Sequence, residues 1–252
     1  MDLGLKGKKV ILTGGSRGIG RAALEIFAEE GADVAFFSRN PEQVAEAVAS
    51  LSRHGGKVIG EALDMSDHEA YKAWLVSAAD RLGGCDIFVP GASASGSGAT
   101  GDWDACLNAD IKGTVIGVET LEPYLEKSGQ GAIIVMASTA ATETFIVPQA
   151  FNALKAALLT YSGQLSQALG PKGIRVNAVS PGPIYFSGGN WEAIKGAAPE
   201  LYGATEASFA LGRWGGPEEV ARSIVFLASP AASYTTGTNL VIDGGYTKRV
   251  QF

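Results

Sequence analysis

The sequence is poor in the residues that hold metals and build disulfide frameworks. Of its 252 residues, two are cysteines, Cys85 and Cys106, and two are histidines, His54 and His68. Two cysteines cannot form a disulfide framework or, by themselves, a four-ligand zinc site. The histidines stand apart from both cysteines in the sequence. We therefore expect a protein whose chemistry uses no bound metal.

Long apolar runs and basic clusters are also missing. No stretch reaches the roughly 18 apolar residues of a membrane-spanning helix, and the first residues, MDLGLKGKKVILTGG, lack the apolar run of a signal peptide. The formal net charge is −6, and lysine and arginine do not cluster. An acidic chain without a basic patch is poorly suited to nucleic acid. We predict a soluble, cytoplasmic protein that binds neither nucleic acid nor membrane.

Apolar residues and glycine are abundant. Hydrophobic residues make up 46% of the chain, enough for a large core, and the 34 glycines lack the repeat of collagen. Short runs rich in Val, Ile and Phe predict strands at Val10–Thr13, Val34–Ser38, Val58–Leu63, Ile87–Val89, Ile133–Ala137, Arg175–Val179 and Leu240–Ile242. Helical spacing between these runs predicts helices at Ile19–Glu30, Pro41–Arg53, His68–Leu82 and Gln149–Leu169.

This alternation of strands and helices predicts an α/β fold. It is typical of βαβ units and of a parallel sheet that helices cover on both faces. Right-handed crossovers wind such a sheet into a Rossmann fold, here a doubly wound parallel sheet of seven strands. No linker or internal repeat divides the chain, so we predict a single domain over residues 1–252.

A glycine-rich turn follows the first predicted strand and opens a helix. It reads TGGSRGIG over residues 13–20, and its glycines allow a tight turn, a close approach to phosphate and helix packing. Backbone N–H groups and the helix dipole then face the anion. The predicted dinucleotide contacts in this turn are Gly14, Ser16, Arg17, Gly18, Ile19 and Gly20.

The end of the second predicted strand indicates which dinucleotide binds. Folds that prefer NAD usually carry an acidic residue there, about 20 residues past the glycines. This chain reads FFSRN over residues 36–40, without a carboxylate. Arg39 can hold a 2′-phosphate bidentately, with Arg17 as a second positive charge. The predicted cofactor is therefore NADP(H) in preference to NAD(H).

Further landmarks are NAVSPG at residues 177–182, GRWGGPEEVA at 212–221 and IDGG at 242–245. Together with the TGGSRGIG turn, they resemble the classical short-chain dehydrogenase/reductase (SDR) family over nearly the whole chain. The resemblance implies a Rossmann fold and a nicotinamide cofactor, and it puts Phe186 where the family often has a threonine near the carboxamide. The cofactor contacts that it adds are Asp64, Met65, Ala92, Lys155, Pro181, Gly182 and Ile184.

The family's chemistry uses a Tyr-x-x-x-Lys pair on one helix face, a serine about 13 residues earlier and an upstream asparagine. By resemblance Ser138 and Lys155 are in place, whereas Phe151 stands at the tyrosine position and Asp110 at the asparagine position. In the family the lysine lowers the tyrosine pKa from about 10, so that the phenol exchanges a proton with the substrate oxygen. Phenylalanine has no such proton. A shifted register that places Asn108 at the asparagine position fits less well.

Two residues are candidates for the missing proton donor. Tyr185 lies beside the expected nicotinamide position, and Asp110 can serve if burial keeps its carboxyl group protonated near neutral pH. A deliberate exchange of tyrosine for phenylalanine also explains position 151, but not Asp110. The family's variable substrate loop falls on residues 185–203, so Tyr185 and Trp191, with Ser138, are the predicted substrate contacts.

Three functions remain open at this point. The first is an NADP(H)-dependent oxidoreductase that interconverts a small-molecule carbonyl and a secondary alcohol, with a non-standard proton donor. The second is a nucleotide-binding or scaffold protein without turnover, and the third is a redox-neutral enzyme that uses the same pocket. The resemblance also implies a homotetramer or homodimer, assembled through helices near 102–128 and 149–169.

Overall fold

Buried apolar strands form one parallel sheet. A computed structural model of the chain describes residues 2–144 and 147–250. The strands are β1 (Lys9–Thr13), β2 (Asp33–Ser38), β3 (Val58–Ala62), β4 (Ile87–Pro90), β5 (Ala132–Met136), β6 (Arg175–Pro181) and β7 (Asn239–Ile242). All pair in parallel, in the order β3-β2-β1-β4-β5-β6-β7. The predicted α/β fold with a doubly wound, seven-stranded sheet is confirmed, although the strand ends differ slightly from those predicted.

Helices connect the strands, and local sequence signals start and stop several of them. The helices are α1 (Gly18–Glu29), α2 (Pro41–Leu51), α3 (His68–Leu82), α4 (Trp103–Cys106), α5 (Gly113–Ser128), α6 (Ala150–Leu169), α7 (Asn190–Ala197), α8 (Pro199–Ser208) and α9 (Pro217–Ala228). The side chain of Asn40 caps α2 by accepting from the N–H of Gln43, and Asp67 caps α3 in the same way. Gly83, with a φ of +83°, ends α3.

The region predicted as one helix over 102–128 is interrupted. Between α4 and α5, residues Leu107–Lys112 form a π-helical segment that contains Asp110. Such segments are rare and occur frequently at functional sites. The interruption changes the direction of the side chains in this turn, including that of Asp110.

Successive residues of the central strands point to opposite faces of the sheet, and each face has its own core. Val10 and Leu12 of β1 pack in a cluster with residues of α1 and α9. Ile11, between them, packs with residues of α3, α5 and α6. This is the two-sided burial expected of a parallel sheet. None of the helices in the described residues has both the length and the apolar character to cross a membrane. The assignment of residues 1–252 to one domain stays a prediction.

Arg175, at the start of β6, joins the sheet to the segment that follows α9. Its guanidinium donates to the carbonyl oxygens of Leu227, Ala228, Ser229 and Thr235, over 2.7 to 3.3 Å. We predict that Arg175→Met lowers the free energy of unfolding by about 2 kcal/mol, because hydrogen bonds to a charged donor are lost. Urea unfolding measures this. The matched control Arg53→Met, at an exposed arginine beyond α2, should change it by less than about 0.5 kcal/mol. Equal losses in the two variants would contradict the assignment.

Candidate active site

The carboxyl ends of the strands open into a cavity of about 920 Å³. The residues that line it follow the strands at one edge of the sheet and include Gly14, Arg39, Gly91, Ala137 and Gly182. The strand order reverses direction between β1 and β4. Ligands of open α/β sheets bind at such a reversal, outside the carboxyl ends of the strands. The cavity is therefore the candidate active site.

The glycine-rich turn joins β1 to α1 on one wall of this cavity. Gly14 has a φ of +78°, and a Cβ there would lie 2.9 Å from the Cα of Ala92. A Cβ at Gly20 would lie 2.4 Å from the carbonyl oxygen of Gly14. Thr13 Oγ1 fixes the neighbouring loop by accepting from the N–H groups of Gly91 and Ala92, both at 3.0 Å. A side chain at either glycine would clash with backbone, so bare backbone remains at the start of α1, as a bound diphosphate requires.

The ring of Phe186 covers the second glycine of the turn. A Cβ at Gly18 would lie 2.8 Å from Cζ of Phe186, and Gly189 packs against the same ring. The resemblance predicts Phe186 near a carboxamide, but the structure places its ring over the phosphate-binding turn. Because the second glycine serves the close approach of backbone to diphosphate, the ring must leave this position when a dinucleotide binds.

Arg17 joins the two loops at the mouth of the cavity. Its Nη1 donates to the carbonyl oxygen of Gly188 at 2.8 Å, and its Nη2 donates to that of Gly96. Beside it, Asn190 Nδ2 donates to the carbonyl oxygen of Ser95 at 2.9 Å. Arg17 lines the cavity with its guanidinium bound to two backbone carbonyl oxygens, and its role as a second charge for a 2′-phosphate stays a prediction.

Arg39 and Asp64 line the cavity where β2 and β3 end. Ser66 donates its backbone N–H to Asp64 Oδ1 at 2.9 Å. Hydrogen bonds from Ser66 lower the pKa of Asp64, and the charge of Arg39 contributes less. Ser16 Oγ donates to Ser38 Oγ at 2.7 Å, linking the glycine-rich turn to β2. This part of the cavity therefore presents an exposed guanidinium beside an ionised carboxylate.

Ser138, Phe151 and Lys155 line the cavity beyond the end of β5. The Oγ of Ser138 accepts from the N–H of Ala140 at 3.2 Å, which leaves its hydroxyl hydrogen to donate elsewhere. Lys155 is only 4% exposed. Its Nζ donates to the carbonyl oxygen of Met136 at 2.5 Å and lies 5.5 Å from the centre of the Phe151 ring. The predicted serine and lysine thus share one wall with the phenylalanine.

Asp110 lies behind Lys155 and is not among the cavity-lining residues. The carboxylate is 1% exposed; its Oδ1 lies 3.0 Å from Lys155 Nζ, and its Oδ2 accepts from the N–H of Ala94 at 3.1 Å. Thr114 Oγ1 donates to its backbone carbonyl at 2.7 Å, within the π-helical turn. Oδ2 thus accepts a hydrogen bond, whereas Oδ1 is in an ion pair with Lys155 without hydrogen-bond geometry. The hypothesis that Asp110 gives a proton to substrate is therefore not supported by its position.

Tyr185 also falls outside the cavity wall. Its hydroxyl donates to Glu192 at 3.3 Å, and its ring packs edge-on against Tyr202 and Trp214. The structure thus does not bring the predicted replacement donor to the site. Trp191, the other aromatic residue predicted to contact substrate, does line the cavity and packs on Trp214 at 4.9 Å between ring centroids.

The wall includes polar residues that the sequence analysis missed, namely Glu143, Gln149, Asn152 and Tyr246. Asn152 directly follows Phe151, so its place in the first turn of α6 was an available signal. Tyr246 directly follows the IDGG landmark and is the one tyrosine among the described residues that line the cavity. Burial, with the nearby Glu143 carboxylate, raises the pKa of Tyr246, so the phenol holds its proton at neutral pH.

Comparison with known proteins assigns the family. A family model described as enoyl-(acyl carrier protein) reductase matches residues 14–247. An isoepoxydon dehydrogenase from Penicillium expansum is 40% identical over 257 residues, covering 100% of this chain and 99% of that protein. A 3-oxoacyl-(acyl-carrier-protein) reductase from Chlamydia pneumoniae is 32% identical over 252 residues, covering 98% and 100%.

A solved structure supports the same family assignment. The L-sorbose reductase of Gluconobacter frateurii, complexed with NADPH and L-sorbose, superposes with a TM-score of 0.90 at 30% identity, covering 99% of this chain and 100% of that one. The chain belongs to the short-chain dehydrogenase/reductase family, a family of oxidoreductases that act on carbonyl and alcohol groups with a nicotinamide cofactor.

The position of the Phe186 ring over Gly18 affects the affinity for NADPH. We predict that Phe186→Ala tightens NADPH binding about tenfold, or about 1.4 kcal/mol, because no ring then has to leave Gly18. A fluorescence titration of the purified protein gives the Kd. Phe226→Ala is a matched control, since Phe226 is 38% exposed on α9 and does not line the cavity. Weaker binding by Phe186→Ala would show that the ring supports the bound cofactor instead of covering its site.

Proposed function

We propose that this protein is an NADP(H)-dependent oxidoreductase that interconverts a carbonyl and a secondary alcohol, with a non-standard proton donor. One observation carries the proposal: a single cavity has the phosphate-binding turn on one wall and Ser138 with Lys155 on another. The bound cofactor supplies or accepts the hydride. The protein's part is to hold the cofactor and the substrate and to exchange the proton.

The residues divide between these tasks. The glycine-rich turn holds the diphosphate, Arg39 the 2′-phosphate and Asp64 the adenine. The predicted contacts at Met65, Ala92, Pro181, Gly182 and Ile184 also belong to the cofactor, and all line the cavity. Lys155 binds the ribose hydroxyls. Ser138 donates its hydroxyl hydrogen to the substrate oxygen, and Trp191 forms part of the substrate's surroundings.

In this proposal Tyr246 replaces the missing phenol as proton donor. Phe151 has no proton to give, and neither Tyr185 nor Asp110 lies on the wall. Tyr246 does, and it is influenced electrostatically by Glu143. Glu143 lies in the short turn that Ser138 begins, since its N–H donates to the carbonyl oxygen of Thr139 at 3.0 Å. The phenol and the Ser138 hydroxyl both line the one cavity.

The preference for NADP(H) rests on Arg39. We predict that Arg39→Ala raises the Kd for NADPH by about 10- to 100-fold, the value of one to two hydrogen bonds to a charged group, and leaves the Kd for NADH nearly unchanged. Fluorescence titrations with both nucleotides measure this, with NADH as the internal control. If the parent protein binds NADH as tightly as NADPH, the preference is wrong even if both bind.

The donor assignment predicts different effects at two tyrosines. Tyr246→Phe should lower kcat by about 10²- to 10⁴-fold, as expected for loss of a general acid, and Ser138→Ala by about 10²-fold. Tyr185→Phe is the matched control and should retain activity. Steady-state rates with NADPH and a panel of ketones, aldehydes and ketoses, including the L-sorbose bound by the structural relative, test this. Equal rates for Tyr246→Phe and the parent would remove Tyr246 from the mechanism.

A second candidate function is nucleotide binding without turnover. The observation that favours it is Phe151, which leaves Lys155 beside an aromatic ring where the family has a phenol. Binding of NADPH with no reaction in the whole panel, for the parent and for Phe151→Tyr alike, would support this function over the first.

The proposal includes a cytoplasmic homotetramer, with a homodimer as the alternative. Of the helices named for assembly, α5 and α6, the second presents small residues that permit close helix approach. Ala153 and Ala157 of α6 are exposed, and a Cβ at Gly163 would meet nothing within 4 Å. Nearby, Trp103 of α4 is 60% exposed.

A further inference from the structure

A buried ion pair lies directly behind the candidate active site. Lys155 Nζ and Asp110 Oδ1 are 3.0 Å apart, with side-chain exposures of 5% and 1%. By resemblance, Phe151 and Asp110 are two separate departures from the family pattern. In the structure both lie next to the same ammonium group, since the Phe151 ring centre is 5.5 Å from Lys155 Nζ.

We propose that Asp110 is a positioning residue that neutralises Lys155, and that Asp110 and Phe151 form one coupled exchange: a phenol at position 151 can be acidified only when residue 110 is uncharged. The proposal depends on the proposed function only in treating the Lys155 side of the cavity as the reacting side.

Burying a charged group without a partner costs free energy. An ammonium group that is 4% exposed needs a counter-charge or several hydrogen bonds. Phe151 offers a ring face, and Met136 offers one carbonyl oxygen, at 2.5 Å. Neither is an anion. A phenolate at position 151 would supply one, but phenylalanine cannot, so Asp110 supplies the negative charge.

The same pair removes the means of acidifying a phenol. A positive charge within about 4–6 Å favours the ionised form of a neighbouring acid. When a carboxylate lies 3.0 Å from that positive charge, a neighbouring group is influenced by a nearly neutral pair. Restoring tyrosine alone therefore adds a hydroxyl group without restoring its acidity.

Other groups face the pair, and none of them supplies a counter-charge to Lys155. Ala94 donates its N–H to Asp110 Oδ2 at 3.1 Å. The buried Cys106 thiol lies near the pair on α4, and its pKa is raised by burial and further by Asp110 and Asp102. A thiol that holds its proton is neutral. Asp110 is thus the carboxylate in contact with Lys155 among the described residues.

The test introduces the phenol with and without the carboxylate. Phe151→Tyr and the double variant Phe151→Tyr/Asp110→Asn are titrated by tyrosinate absorbance, each against its parent with phenylalanine at position 151, so that the seven native tyrosines cancel. Asparagine keeps an oxygen to accept from Ala94. We expect the new phenol to ionise near its ordinary pKa of about 10 beside Asp110, and at least tenfold more readily in the double variant.

Two results would overturn the proposal. One is equal ionisation of the phenol in both variants, and the other is a phenol already acidified beside Asp110. Neither measurement uses cofactor or substrate. A lack of turnover therefore leaves this proposal standing, and equal titrations leave the proposed oxidoreductase standing.

A second measurement covers variants that fold poorly. Urea midpoints are compared for the parent, Asp110→Asn, Lys155→Met and the double variant that carries both changes. Each single variant should unfold at lower urea because it leaves one buried charge without its partner, and the double variant should recover part of that loss. Strictly additive losses would show that the two side chains do not act as a pair.

Discussion

The reversal of strand order between β1 and β4 determines where the functional residues lie. Every strand is parallel, so every carboxyl end opens on one edge, and the chain leaves β1 and β4 in opposite directions across the sheet. The glycine-rich turn follows β1, Arg39 follows β2, and Ser138 follows β5. Residues more than a hundred positions apart thus line one cavity because of sheet topology alone.

The charges around Lys155 differ from the pattern of catalytic residues that the family resemblance implies. Lys155 lies next to both a carboxylate and an aromatic ring. This arrangement is electrically balanced without a phenol at position 151, so the exchange to phenylalanine does not leave a buried charge without a partner. In the function that we propose, Tyr246 on another part of the wall supplies the proton, since its phenol keeps its proton at neutral pH.

The sequence predicted the parts of the structure that depend on local patterns. Buried strands are continuous apolar runs, and the glycine-rich turn has a spacing that follows from backbone geometry, so both were found. The partners of Arg17 and Tyr185, the carbonyl of Gly188 and the carboxylate of Glu192, were not predicted because they are set by how the substrate loop folds. Helices α7 and α8 lie in that loop and just beyond it, where no helix was predicted. The contact of Asp110 with Lys155 depends on a π-helical turn that no spacing rule indicates.

Hydride transfer in this cavity is detected most directly by following deuterium from labelled NADPH into the product. NADPH that carries deuterium at the transferring position of the nicotinamide is incubated with the protein and a carbonyl compound from the panel, and the alcohol is analysed by mass spectrometry. An oxidoreductase of the proposed kind gives an alcohol with one deuterium on the carbon that was the carbonyl carbon. Tight binding of the labelled NADPH without any deuterated alcohol would contradict the proposed reaction and leave a nucleotide-binding protein with this fold.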